Sequence, residues 1–298
     1  KEVTAVEIPA EIAGKPVTKM TFQECVSILK GAPGTKVTVK VYRRKTDAYQ
    51  EFTLTREFIK IPSLRGVRII DGEFGYLRIT NFSNPTAADL DKALEEFAKK
   101  KVRGIVIDLR NNPGGLLNSA IEVCSRFLKK GELVVYTEGQ SARAKQEFHA
   151  VDAKKYLDIP LVLLVNGNSA SAAEIFSGCL QDHNRAVLLG TKTFGKGSVQ
   201  TVIPLPDKGA MRLTTAKYYT PSRRVIHGRG ITPDIIVPMT PASEAVLAMQ
   251  LNVAPGEVHM KNGGGVKDVQ LERALELLIG VNLFMKIGNI KFIYPENL

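Results

Sequence analysis

The chain has 298 residues, 44% hydrophobic and 24% charged, an ordinary globular composition with room for one large domain and a smaller one. No apolar run reaches the ~18 residues that suggest a membrane span, and the longest, such as Leu161–Val165, are strand-sized. The net charge of +11 is carried by Lys and Arg in short scattered clusters without interleaved aromatics, so it reads as a solvated surface and no nucleic-acid partner is expected.

In chain order, residues 1–7 read as a strand, 14–17 as a turn, and 21–29 as a helix capped by Thr21. The turn 31–34 leads into a strand over 36–43, where Val37, Val39 and Val41 share one face, and residues 52–56 are its predicted hairpin partner. From about Ile59 the pattern becomes alternating strands and helices: a strand at 75–80, a helix at 85–99 opened by Pro85, and a buried strand at 104–109. A loop at 111–115 leads to a helix running through Leu128. A buried strand at 160–165, the loop 166–169, a helix from Ser171 to about Leu180, and a strand at 186–190 follow. These β-loop-α units predict an α/β core on a largely parallel sheet, with ligands gathering beyond the carboxyl ends of its strands. After Pro238 the chain turns polar and helical, at 243–251 and 268–278 around the flexible run 262–265, and is read as a helical tail that is an appendage or dimer element. The boundaries are 1–58 for a β-rich module, 59–240 for the core and 241–298 for the helical extension.

Cys25, Cys124 and Cys179 lack CxxC or CxxH spacing, and His149, His183, His227 and His259 are scattered. No disulfide framework, metal site or cofactor is expected, and the cysteines are read as core residues. Because residue 1 is Lys, the chain is read as a fragment or processed form, so the absence of a signal peptide carries no information about location.

Three segments could carry chemistry. In the first, residues 166–174 join a buried strand to a helix, which sets Ser171 on a turn with a helix N-terminus behind it. The Ala172 N–H is free at that helix start and can donate to an oxyanion. The second, Thr193-Phe194-Gly195-Lys196-Gly197-Ser198-Val199-Gln200, holds a lysine between two glycines. A phosphate loop would need a glycine where Thr191 stands and a Ser or Thr where Gly197 stands. A desolvated lysine gives up its proton more readily and can act as a general base. The third, Asp108-Leu109-Arg110-Asn111-Asn112-Pro113-Gly114-Gly115, ends in glycines that let backbone N–H groups approach a ligand.

In this order, and followed by Ala216-Lys217-Tyr218-Tyr219-Thr220-Pro221-Ser222 and by Gly228-Arg229-Gly230-Ile231-Thr232-Pro233-Asp234, these segments resemble the carboxyl-terminal processing (tail-specific) proteases over roughly residues 1–240. The resemblance implies that Ser171 is the nucleophile, Lys196 the general base and Gln200 the residue that orients it. Ala172 with Gly114 or Gly115 would form the oxyanion hole, and either glycine fits. Asp182 would serve as structural support. Ala173 stands where the family often has serine and Arg223 where it often has glycine. Residues 1–58 resemble part of a PDZ domain, whose carboxylate-capturing loop would precede Lys1; the binding mode implied is peptide added to a sheet edge.

The expected protein is therefore an ATP-independent serine endopeptidase that cuts unfolded or tail-exposed proteins, without metal or cofactor and, by family resemblance, outside the cytoplasm. A homo-oligomer is compatible with the sequence, and nothing in it speaks to membrane association. Two other classes compete with this reading. A peptide-binding scaffold would not need Ser171 and Lys196, and an acyl-CoA enzyme of the crotonase type would need neither Lys196 nor a PDZ module.

Overall fold

A computed structural model describes residues 9–43, 46–57, 62–139, 145–204, 209–252 and 266–287. The strand expected at 1–7 and the run at 262–265 lie outside the described residues. Two compact units divide the chain, Lys1–Ile61 and Pro62–Leu298.

The first unit contains β1 (Pro9–Ile12), β2 (Lys15–Pro16), α1 (Phe22–Leu29), β3 (Lys36–Arg43) and β4 (Ala48–Thr55), in an antiparallel sheet of order β2-β1-β3-β4. Thr21 caps α1 as expected, in a reciprocal box with Glu24. At the other end of α1, Arg56 donates to the carbonyls of Ile28 and Leu29, which have no partner within the helix. The hairpin partner of β3 begins at Ala48, earlier than the sequence pattern indicates, and pairs in continuous register from Arg43↔Ala48 to Lys36↔Thr55.

The second unit comprises β5 (Leu64–Ile70), β6 (Phe74–Ile79), α2 (Thr86–Lys99), β7 (Gly104–Asp108), α3 (Leu117–Cys124), β8 (Leu133–Gly139), β9 (Gln146–His149), β10 (Leu161–Val165), α4 (Ala172–Asp182), β11 (Val187–Gly190), β12 (Ser198–Pro204), β13 (Ala210–Tyr219), β14 (Ile235–Ile236), α5 (Pro241–Asn252) and α6 (Val269–Ile287). Its main sheet runs β14-β11-β10-β7-β6-β5 and is parallel except where β5 pairs antiparallel with β6. A second, antiparallel sheet has the order β12-β13-β8-β9.

Strand alternation sorts the core into two faces. Ile105, Ile107, Leu161, Leu163 and Val165 point toward α2, α3 and α4, where Leu90, Leu94, Phe97, Val123 and Phe176 cover them. Val106, Val162, Leu164 and Leu189 point the other way and meet Ala274 and Leu278 of α6. The C-terminal segment is helical as expected, but α6 is no appendage. It packs on one face of the sheet, against β7, β10 and β11, and Leu278 lies so close to Gly104 that a Cβ there would stand 2.9 Å from it. Cys124 and Cys179 are buried thiols, whereas Cys25 is only half-buried.

Candidate active site

The three chemistry-bearing segments leave the carboxyl ends of three adjacent parallel strands: 109–115 after β7, 166–171 after β10 and 191–197 after β11. Parallel strands bring such loops to one edge, and here that edge is bound together tightly. Asn111 N–H donates to Asn166 Oδ1 at 2.9 Å, and the side-chain amides of Asn166 and Asn168 both donate to Asn111 Oδ1. Ser169 Oγ donates to the Leu109 carbonyl, and Ala170 N–H to the Asn112 carbonyl.

Ser171 stands immediately before α4 with φ 56° and ψ −116°, a conformation that a residue with a side chain adopts only under strain. The chain reverses sharply there, leaving the serine half-buried at the helix start. Gly114 is pressed against this turn: a Cβ on it would lie 2.7 Å from Ser171 Cβ and 2.8 Å from Ala172 N. The Gly114 N–H is already donated to Asn112 Oδ1 at 2.8 Å. Gly115 forms a parallel bridge with Phe82, in which Phe82 bonds the Gly114 carbonyl and the Leu116 N–H. Gly115's own N–H therefore faces away from Phe82. Among the described residues, the N–H groups of Gly115 and Ala172 have no protein acceptor.

The link between serine and lysine is Glu174, three residues into the turn and fully buried. Its Oε2 accepts from both Ser171 N–H and Lys196 N–H, each at 2.8 Å. Its Oε1 accepts from Thr193 Oγ1 at 2.5 Å and Gly195 N–H at 2.6 Å. One oxygen thus sets the backbone separation of Ser171 and Lys196. The lysine loop is also braced from behind, where Thr193 exchanges hydrogen bonds with Ile231 and Gly195 packs on residues 228–230. That contact gives the second signature segment a structural reason.

The side chains of the expected base and its orienter are another matter. Lys196 and Gln200 are exposed, Phe194 beside them is 67% exposed, and among the described residues no hydrogen bond joins Lys196 Nζ to Ser171 Oγ or to Gln200. The desolvation expected for Lys196 is therefore not supplied by this loop, because Glu174 holds the lysine by its backbone and leaves the side chain outside. Gln200 sits on β12 at a register shift between Val199 and Gln200, opposite Thr214. Asp182 accepts from Ser222 N–H and Oγ and pairs with Arg224, which makes it a tie between α4 and the 220–224 turn. Arg223 in that turn has φ 66°, a left-handed backbone that glycine adopts without strain.

Behind the 111–115 loop lies a buried charge cluster. Asp108 holds Arg110 through Nε and one terminal nitrogen, at 3.0 and 2.7 Å, and also accepts from Tyr76 Oη at 2.8 Å. Burial alone would raise the Asp108 carboxyl, but the adjoining guanidinium overrides it and holds the carboxyl below its ordinary range. Arg110 is driven the other way, further into its charged form: burial opposes the charge and Asp108 prevails. A cavity of about 670 Å³ opens at the opposite, amino ends of β10 and β11, between Leu161, Ala186, Leu277 and Met285, and shares no lining residue with these loops.

A serine at a strained strand-to-helix elbow, with unbonded backbone N–H groups beside it on a parallel α/β sheet, defines the class as a serine hydrolase, and the comparisons narrow it to a serine peptidase. The family model for peptidase family S41 matches residues 73–237. A carboxy-terminal-processing protease of Bartonella bacilliformis is 40% identical over 93% of this chain and 68% of its own length. A carboxyl-terminal-processing protease of Synechocystis is 33% identical over 94% of this chain and 66% of its own. Among solved structures, a photosystem II D1 C-terminal processing protease superposes with a TM-score of 0.54 at 28% identity, over 78% of this chain and 63% of that one. The chain belongs to peptidase family S41, and it spans about two thirds of the length of these relatives.

Proposed function

We propose that this protein cleaves polypeptides near their carboxyl ends through an acyl-enzyme formed on Ser171, with Lys196 as the general base and no nucleotide consumed. The observation that carries the reading is the shared Glu174 oxygen, which bonds the backbone of the serine and of the lysine together. In the first step, neutral Lys196 Nζ takes the Ser171 hydroxyl proton while Oγ attacks the scissile carbonyl carbon. The resulting oxyanion accepts from Ala172 N–H and from Gly115 N–H, since the Gly114 N–H is occupied by Asn112. The lysine ammonium then returns its proton to the leaving amine nitrogen. Water, deprotonated by the same lysine, releases the acyl group as a carboxylate and restores Ser171.

This sequence requires the Lys196 side chain to swing over Ser171 and to lose water. A substrate chain lying across Phe194 and Lys196 would do both, by covering the two exposed groups and leaving the lysine no anion to retain its charge. Gln200, four residues along the chain, would then accept one of the lysine's N–H groups. The first unit is taken to be a partial PDZ-like module that guides an extended tail, and the working site to lie outside the cytoplasm. Both rest on the resemblance of the sequence motifs to the carboxyl-terminal processing proteases. The test is Lys196→Arg, assayed from pH 6 to 10 on an unfolded protein. Guanidinium stays protonated across this range, so the variant is expected to be as inactive as Lys196→Ala. Appreciable cleavage by it would mean that another group takes the serine proton.

A further inference from the structure

Helix α6 begins at an aspartate with two duties. Asp268 Oδ1 caps the first turn by accepting Leu271 N–H at 3.0 Å, and it also accepts from Arg110 Nη1 at 2.8 Å. Its Oδ2 accepts from Arg110 Nη2 at 2.7 Å. Gln270, 1% exposed, adds an acceptor for Nη1 at 3.1 Å and anchors itself by donating to the Val237 carbonyl at 2.8 Å. With the two bonds to Asp108, every one of the five guanidinium protons has a partner. Asp108 alone could satisfy only two, and the remaining three donors would be stranded in a site where Arg110 is 2% exposed.

Arg110 immediately precedes Asn111, whose left-handed backbone (φ 60°) starts the loop that presents Gly114 and Gly115 to Ser171. The far end of that loop is fastened to Phe82. Its near end is fastened to Asn166 and, through the guanidinium, to α6. We propose that Asp268 and Gln270 are positioning residues of the peptidase: by saturating Arg110 they fix the near end of the 111–115 loop and keep the Gly115 N–H aimed at the oxyanion. The proposal rests on the reading of Ser171 as nucleophile. It makes the C-terminal helix part of the catalytic scaffold, some 158 residues along the chain from the arginine it holds.

The experiment compares Asp268→Asn and Gln270→Leu with the wild-type chain. Asparagine caps a helix as well as aspartate does, so the first variant removes the charge and one acceptor while sparing α6. The second removes an arginine acceptor and leaves the cap untouched, and it serves alone if Asp268→Asn does not fold. Three quantities are measured on folded protein, checked by thermal melting above the assay temperature. These are kcat and KM on a fluorogenic peptide, and the inhibition constant of a peptide aldehyde, whose hemiacetal oxygen occupies the oxyanion position. The expected result is a kcat lowered roughly tenfold or more, short of the ~10²–10³ lost when a donor is deleted outright. KM should stay within about twofold, and the aldehyde should weaken by the factor that kcat falls. Asp268→Glu, which keeps the charge, should recover part of the loss. Folded variants with unchanged kcat and aldehyde affinity, or with the loss confined to KM, overturn the proposal. Ser171→Ala is run alongside, and activity surviving there would instead defeat the reading beneath it.

Discussion

At Gly114 a hydrogen in place of a side chain decides whether two loops can meet. Its φ is +99°, and the atoms a methyl would strike are the Ala170 carbonyl oxygen, Ser171 Cβ and Ala172 N, none of which can rotate aside. Gly114→Ala is expected to lower kcat by at least about 100-fold while the protein still folds, measured by peptide turnover against a thermal melt. An active variant would show that the loop can retreat without cost. The importance of Gly114 was legible in the sequence, though not which glycine keeps a free N–H; that follows from the Asn112 side chain occupying one of them. Glu174 was legible in principle, because Ser171 and Glu174 stand three apart at a helix start, the spacing of a capping box. Its reach to Thr193, Gly195 and Lys196 was not, since no local pattern records what a buried carboxylate meets 19 to 22 residues later. Lys196 stood out in the sequence as an unusual lysine, but the desolvation expected from its neighbours is absent: Glu174 holds its backbone and its side chain is exposed.

Among the elements, the strands buried on both faces were the readable ones. β6, β7, β10 and β11 are short apolar runs ending in loop residues, and each lies within one or two residues of its expected place. β5 escaped notice because it is an edge strand, largely exposed and broken at Gly66, where the register shifts between Arg65 and Arg68. The second sheet escaped for a different reason: β13 joins β12 to β8, so its pairing spans some 80 residues. The last helix begins within one residue of its expected start at 268 but runs past the expected end at 278 to Ile287, and its role depends on Arg110, which no periodicity indicates. That ion cluster between β7 and α6 carries a pH signature. The Asp108 carboxyl lies below its unfolded value, so its contribution to stability is complete at neutral pH. It is lost only as pH falls beneath ~4 and through the still lower folded value. Chemical denaturation across pH 2–7 should show an acid limb that flattens in Asp108→Asn. An identical limb in the variant would assign the acid sensitivity to other carboxylates.

For the whole molecule, the α/β class was visible as a change from strand-and-turn patterning to β-loop-α units; the chain divides into two compact units between Ile61 and Pro62. Behind the site, among the described residues, Asp108, Arg110 and Asp268 form a dense ionic cluster. If the first unit guides tails, the rate should depend on the substrate's last residues and free carboxylate. A substrate ending in apolar residues should be cut faster than the same chain ending in Asp-Asp or in an amide, with fragments quantified by mass spectrometry. Equal rates for all three would remove tail recognition. The central claim, that Ser171 is the nucleophile, is tested most directly by incubating wild type and Ser171→Ala with an unfolded protein and identifying the fragments by mass. Wild type should produce new carboxyl ends. The alanine variant, folded equally well, should lose activity by a factor approaching ~10⁶ if serine and lysine act as one unit. Substantial cleavage by Ser171→Ala would contradict the account.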